Sequence, residues 1–520
     1  MEIPLVKRVI VVTTAYPSAG QPYRNMFVHT RLRHYLRRGI ETVVLVIDNS
    51  LAVSTSRTFE GVTVLEGNAE YAAGELEKRK LDTVLIHFIS PGWFRTLRPV
   101  LKGRRTIVWL HGFEAEAWHR RWYNATGSYK DLQNLVGKRT TTYAARRRFF
   151  RDLVEAEDLD LHFVAVSDWF FQHVLVPDAG IPADRCTVIP NPVDLELYPY
   201  RRKRAEDRLR ILTIRPFTSP TYGNDLVVRA ILHLRASPVF DQLRFSVIGE
   251  GPLFEDLVKP LRELENVNLV NRMLEPHEIA EEHSRHGVFL SPGRGDSQGV
   301  SRCEAMASGL VPVSSAVSAV PEFVADGVTG LLAPPEDWKG LADRIEQLAA
   351  DPDLFLRLSD QAAAAARRQC GSDTIIEREI ELILGTGLPT VASTGLARSQ
   401  SESLQLALQD IDGEFARALR RLSVELRDRD SLVASLEKQL ASSEETSEMR
   451  KRSFIKSRER ARALEASLKR RMTELASVSG EADSLRAELD ETKLALARRE
   501  TPSEWIRRGA FLLKAGLRRG

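Results

Sequence analysis

The chain has 520 residues, 43% of them apolar, which is enough for two or three domains with substantial cores. Lysine plus arginine total 74 against 71 aspartates plus glutamates, a near balance that excludes a general pull toward nucleic acid. The three cysteines, Cys186, Cys303 and Cys370, are far apart and lack metal-ligand spacing, which fits a reducing cytoplasm and no resident metal.

The apolar run near the N-terminus is too short for a signal peptide, and no stretch approaches the ~20 apolar residues of a membrane-spanning helix. A cytoplasmic protein is expected, at most peripheral at the inner face of the cell membrane. Val9–Thr14, Thr42–Ile47, Thr83–Phe88, Thr106–Leu110 and His162–Val166 are β-branched runs that read as buried parallel strands. Met26–Arg38, between the first two, has helical periodicity and completes a βαβ unit. The pattern restarts after Pro199 with Leu209–Ile214, Leu243–Ile248, Asn266–Val270 and Gly287–Ser291. Two such series predict an α/β protein of two Rossmann-like, doubly wound domains, residues 1–200 and 201–385, joined through Arg201–Asp207.

Composition breaks after Leu384. Residues 386–403 are small and polar, interrupted by Pro389, and read as a linker. From 404 to 500 the chain is rich in Ala, Glu, Leu and Arg. Leu464, Leu468, Arg471, Leu475, Val478, Ala482, Leu485, Leu489, Thr492 and Leu496 step by four and three, an a/d seam. A less regular seam runs from Leu404 to Leu440. An α-helical coiled coil is expected here, as a homodimer or as an internal hairpin. Residues 501–520 open with a capping box, Thr501 to Glu504, and combine Trp505, Phe511, Leu512 and Leu513 with five basic residues. They read as a basic amphipathic helix for an anionic membrane surface, with docking on the protein as the alternative. The basic stretch Arg146–Arg151 is a second candidate contact.

Four stretches carry the chemistry. Gly20 follows the first strand, where a glycine lets backbone N–H groups approach phosphate, although a plain turn explains it as well. Gly249, in Val247–Leu257, permits a tight turn after a strand; the glycine pattern is not a complete dinucleotide fingerprint, so no nicotinamide cofactor is indicated. In Ser291–Val313, a glycine loop meets a helix expected to begin near Ser301, with the N–H groups of Gly299, Val300 and Ser301 aimed at an anionic ligand. Asp296 and Glu304 offer carboxylates to sugar or ribose hydroxyls, unless Glu304, expected in the first helical turn, only complements the helix dipole. Arg215, ending the first strand of the second series, can clamp a diphosphate or serve a surface ion pair.

Ala165–Phe170, Ile189–Asp194, Val247–Pro252, Glu304–Val313 and Val320–Pro335, in this order, resemble the family-4 retaining glycosyltransferases over roughly the first 385 residues. The resemblance implies a GT-B fold, two Rossmann-like domains facing across a cleft, and a metal-independent hexosyltransferase that needs no cofactor beyond its nucleotide-sugar donor. It matches Glu304 to the acid that holds the donor ribose, Asp296 to the acid beside the sugar, and Arg215 to the diphosphate arginine. His111 matches the first-domain histidine near the transferred sugar, against a capping or core role. A glycan or lipid-linked acceptor in cell-surface polysaccharide synthesis is implied. Two departures stand out: Asp296 replaces the usual Glu, and Tyr222 stands where a Lys is usual. Arg294 is expected to supply the missing cation. The same departures motivate the alternative of a catalytically degenerate domain serving as a coiled-coil scaffold.

Overall fold

A parallel strand buried on both faces needs apolar side chains at successive positions, and the first sheet is built that way. Alternate residues of its strands feed two cores: Ile10, Val12, Val84 and Ile86 point to one face, and Val9, Val11, Val44 and Leu85 to the other. The computed structural model describes residues 8–18, 20–21, 24–79, 83–125 and 129–385, with 427–428, 431–432, 434–435, 459–460, 462–464, 466–476 and 480 in the tail. Packing divides the chain into two units, Met1–Ala117 with Ala144–Pro389, and Trp118–Tyr143 with Thr390–Gly520.

The first unit holds two sheets. The strands of the first are β1 (Arg8–Thr13), β2 (Glu41–Ile47), β3 (Thr55–Phe59), β4 (Val62–Gly67), β5 (Thr83–His87), β6 (Arg105–Leu110), β7 (Asp160–Ala165) and β8 (Cys186–Val188). Their order is β3-β4-β2-β1-β5-β6-β7-β8, parallel except for β3. The second sheet has β9 (Arg210–Ile214), β10 (Arg244–Gly249), β11 (Val267–Asn271), β12 (Val288–Leu290), β13 (Val311–Ser315) and β14 (Leu331–Ala333), in the order β11-β10-β9-β12-β13-β14. Among the parallel strands each order reverses once, between β1 and β5 and between β9 and β12. Ligand crevices of open α/β sheets lie outside the carboxyl ends of the strands at such points.

The expected domain boundary needs one amendment. The last helix, Ser372–Leu384, does not complete the second domain. Its Ile375, Ile376, Leu382 and Ile383 join the core of the first sheet. It packs against the helix Met26–Arg37 through an ion pair buried on both sides, Arg31 Nε to Glu379 Oε1 at 2.7 Å. Two backbone crossings thus join the domains, and they bond to each other. Val193 N–H donates to Cys370 O at 2.7 Å, and Ser372 N–H donates to Val193 O at 3.0 Å. Arg201–Asp207 is not a loose linker: Lys203 is buried, and its Nζ donates to His283 O at 2.6 Å.

The second unit explains part of the seam. Trp118–Tyr143 carries a helix, Tyr129–Lys138, between short turns. Residues 466–476 are helical, and Leu468 and Leu475 are buried in one cluster with Trp118, Leu132 and Leu135. These seam positions therefore pack within the chain, against a segment the periodicity did not suggest. The linker, most of the expected coiled coil and the helix 501–520 lie outside the described residues. Among the described residues no helix is long and apolar enough to cross a membrane.

Candidate active site

The second crevice is assembled from the ends of β9, β10 and β12. Arg215 follows β9, and its Nη2 donates to Ser291 O, just past β12, at 3.4 Å. Gly249 ends β10 against it, where a Cβ would stand 1.9 Å from Arg215 O, so no other residue fits. Tyr222, at the position expected to hold a lysine, has its ring centroid 6.0 Å from the Arg215 guanidinium carbon. It contributes a ring face to the arginine rather than a second charge.

Beyond β12 the loop turns into the helix Val300–Ala307. Gly299 has φ +81°, and a Cβ there would come within 2.3 Å of Arg302 Nη2 and 2.7 Å of Asp296 Oδ2. The helix start has no side-chain cap, so the N–H groups of Val300 and Ser301 are presented at the half-buried loop. Glu304 is buried on this helix but lies beyond its first turn, contrary to the sequence expectation. The helix dipole therefore does not account for it. Asp296 is braced by the fully buried Arg302, whose Nη1 lies 3.3 Å from Oδ2.

Arg294 has a different role from the one expected. Its guanidinium donates to both oxygens of Asp225 at 2.8 Å, to both oxygens of Glu336 at 2.6 and 2.9 Å, and to Pro220 O at 2.8 Å. Those five bonds use all five donors of an arginine, leaving none for a diphosphate. Arg294 pins the loop to its neighbours instead.

The first crevice is neutral and aromatic. His111 directly follows β6, and Phe27 and Phe88 lie against its ring, with centroids 5.0 and 4.7 Å away. Burial, and then the Arg31 cation, hold His111 well below the usual histidine pKa. Glu114 Oε1 accepts the His111 backbone N–H at 2.7 Å, while burial pushes the Glu114 carboxyl up to about 7. The Ser297 hydroxyl donates to His111 O, which brings the loop after β12 onto the first crevice. Gln298 reinforces the contact, accepting from Asn191 N–H at 2.7 Å and donating to Asn191 O at 3.0 Å.

His111 and Asp296 thus lie on loops that meet, with Gly299, Val300 and Ser301 at the adjoining helix start and Arg215 and Gly249 at the neighbouring strand ends. Gly20 is not drawn in: it is exposed, and a Cβ there would meet nothing within 4 Å. Arg146 of the basic stretch donates to Phe113 O and Glu116 O, bracing the loop after His111. Asp158 is tied to Arg98 at 2.7 Å and Lys102 at 3.1 Å before β7, at the opposite end of the sheet. Among the described residues no cluster of three or more His, Cys, Asp or Glu is gathered as metal ligands would be. Ser297, Gln298, Arg302 and the Arg31–Glu379 pair escaped the sequence reading. Gln298 and Arg302 sit inside the motif and could have been found as polar residues bound for burial.

Residues 208–351 match the family of group 1 glycosyl transferases. The chain is 29% identical over 240 residues to alpha-maltose-1-phosphate synthase of Mycolicibacterium smegmatis, a match covering 42% of this chain and 60% of that relative. The fold is that of sucrose-phosphate synthase from Thermosynechococcus elongatus, with TM-score 0.57, 16% identity, and coverage of 72% of this chain and 98% of that one. It is also that of HepE from Anabaena, solved with UDP and glucose, with TM-score 0.53, 14% identity, and coverage of 73% and 100%. The chain is thus similar to group 1 glycosyl transferases over residues 208–351, spans about three fifths of the curated relative's length, and shares the two-sheet GT-B-like fold.

Proposed function

We propose that the chain is a retaining, metal-independent glycosyltransferase of the family-4 kind. It moves a hexosyl group from a nucleotide-sugar donor to a glycan or lipid-linked acceptor in cell-surface polysaccharide synthesis. The observation that carries this is the set of groups at the carboxyl ends of β9 and β12. It joins a buried arginine, Arg215, an uncapped helix start at Gly299 and a buried carboxylate, Glu304, on one helix. Negative charge growing on a departing diphosphate is met there by Arg215 and by the N–H groups of Val300 and Ser301, which are fixed before the reaction begins. Glu304 takes the ribose hydroxyls. Asp296, braced by Arg302, and His111 flank the sugar. Because HepE was solved with UDP and glucose, UDP-glucose is the first donor to try.

The test is thermal-shift screening against UDP-, GDP- and ADP-sugars, followed by measurement of nucleoside diphosphate release with glycan and lipid-linked acceptors. Stabilisation by one donor class and turnover with retained anomeric configuration are expected. No stabilisation by any donor and no release would sink the reading. A cytoplasmic protein touching the inner membrane face through residues 501–520 belongs to the same proposal. Flotation with anionic vesicles, comparing the full chain with one ending at Glu500, tests it; equal binding by both would remove the tail from the mechanism.

A further inference from the structure

His87 is the last residue of β5, the strand beside the first reversal of strand order. β5 and β6 are parallel, with His87 paired to Trp109. Side chains two residues apart share a face of a sheet, so His111, two beyond Trp109, falls on the same face as His87. The rings meet: His87 Nδ1 lies 3.0 Å from His111 Nε2, with centroids 5.2 Å apart and planes within 16°. On its other side His87 stacks on Trp109, at 5.0 Å and 25°. His87 is 1% exposed, too deep to meet a ligand itself.

Burial and the nearby Arg31 cation keep both imidazoles uncharged. Two neutral imidazoles at hydrogen-bond distance share one proton, so one ring donates and the other accepts. His111 Nδ1 is sealed from solvent and has no hydrogen-bond partner among the described residues. An acceptor left without a partner is the commoner exception in buried polar groups, and an orphaned N–H the rarer. The proton of His111 therefore belongs on Nε2, directed at His87, and Nδ1 carries a lone pair.

We propose that His87 is a positioning residue. By accepting the Nε2 proton of His111 it fixes the tautomer and orientation of that ring beside the sugar site proposed above. The catalytic consequence rests on the transferase reading; the tautomer does not.

The test is nitrogen NMR of the full chain labelled at histidine, in the wild type, His87→Phe and His87→Gln. In the wild type, His111 shows a protonated Nε2 and a lone-pair Nδ1. His87→Phe keeps a ring in the stack but removes the acceptor, and His111 becomes a mixture of tautomers. His87→Gln restores an acceptor and with it the single tautomer. In turnover, kcat falls about tenfold in His87→Phe, the worth of one hydrogen bond, with little change in donor KM, and recovers in His87→Gln. A wild-type His111 protonated at Nδ1, or one whose signals are the same in all three proteins, overturns the proposal. If His87→Phe does not fold, the wild-type and His87→Gln spectra decide alone. The expected tautomer pattern in a chain that transfers no sugar would leave this inference standing and remove the proposed function.

Discussion

At the carboxyl end of the second sheet charge is abundant and mostly committed: Arg294 to Asp225 and Glu336, and Arg302 to Asp296. At the carboxyl end of the first sheet the polar groups are uncharged imidazoles among aromatic rings, with the nearby cation, Arg31, paired with Glu379. Under the proposed function, the contrast assigns the two sheets to different ends of one substrate. A diphosphate needs fixed positive potential, whereas a sugar needs oriented, neutral hydrogen-bond partners that do not compete for water.

The comparison breaks most visibly at Arg31. Arg31→Met leaves Glu379 buried without its cation and should cost about 3–5 kcal/mol of stability by chemical denaturation. Adding Glu379→Leu should recover most of it; no recovery would show that the pair does more than balance charge. Next in size, Arg215→Ala should lower kcat on the order of 10²-fold, about 3 kcal/mol, while leaving the melting temperature near that of the wild type. Unchanged turnover would take the diphosphate away from the second crevice. Glu304→Ala in the same assay should abolish transfer.

Arg294→Ala sharpens the distinction between committed and available charge. With its donors already used, the variant should lose about 1–3 kcal/mol of stability, because Asp225 and Glu336 lose their partner. It should bind nucleoside diphosphate with wild-type affinity by calorimetry. A fall in affinity would restore the role the sequence suggested. The commitment of Arg294 was not legible in the sequence for a physical reason. Asp225 and Glu336 lie 69 and 42 residues away in the chain, and no local pattern shows that they reach Arg294.

What was legible follows the same division. Strands β1, β2, β5, β6 and β7 were found because burial on both faces forces continuous β-branched runs. β3 and β4 were missed: β3 is an antiparallel edge strand whose exposed, polar residues carry no such signature. The glycine loop was readable because Gly299 answers to positive φ and near neighbours, both local. The Arg31–Glu379 pair spans 348 residues, and only the return of the last helix brings it together. Leu468 and Leu475 of the seam are buried, but periodicity cannot say which surface covers them.

The smallest effect concerns acid. His87 and His111 are held below the ordinary histidine value of 6.5, so below that pH the unfolded chain binds more protons and stability falls. Glu114, raised to about 7, and Glu379, also raised by burial, act oppositely: between their unfolded and folded pKa values the folded chain binds the proton, and stability rises as pH falls. Each group is worth at most about 1.4 kcal/mol per pH unit, and the two carboxyl contributions oppose those of the two imidazoles. Glu114→Gln removes one opposing contribution. Its melting temperature should fall more steeply than that of the wild type over this range, and parallel curves would place these titrations elsewhere.

The paired crossings at Val193 and Gly371 set how the two sheets can move. A single covalent strand between domains leaves bending, twisting and splaying all open. Two strands laced together by backbone hydrogen bonds act as an axle, about which rocking is easy while twist and shear would tear the lacing. Ser297 on His111 and Gln298 on Asn191 add side-chain ties between the same two sheets, so the lacing is not their sole connection.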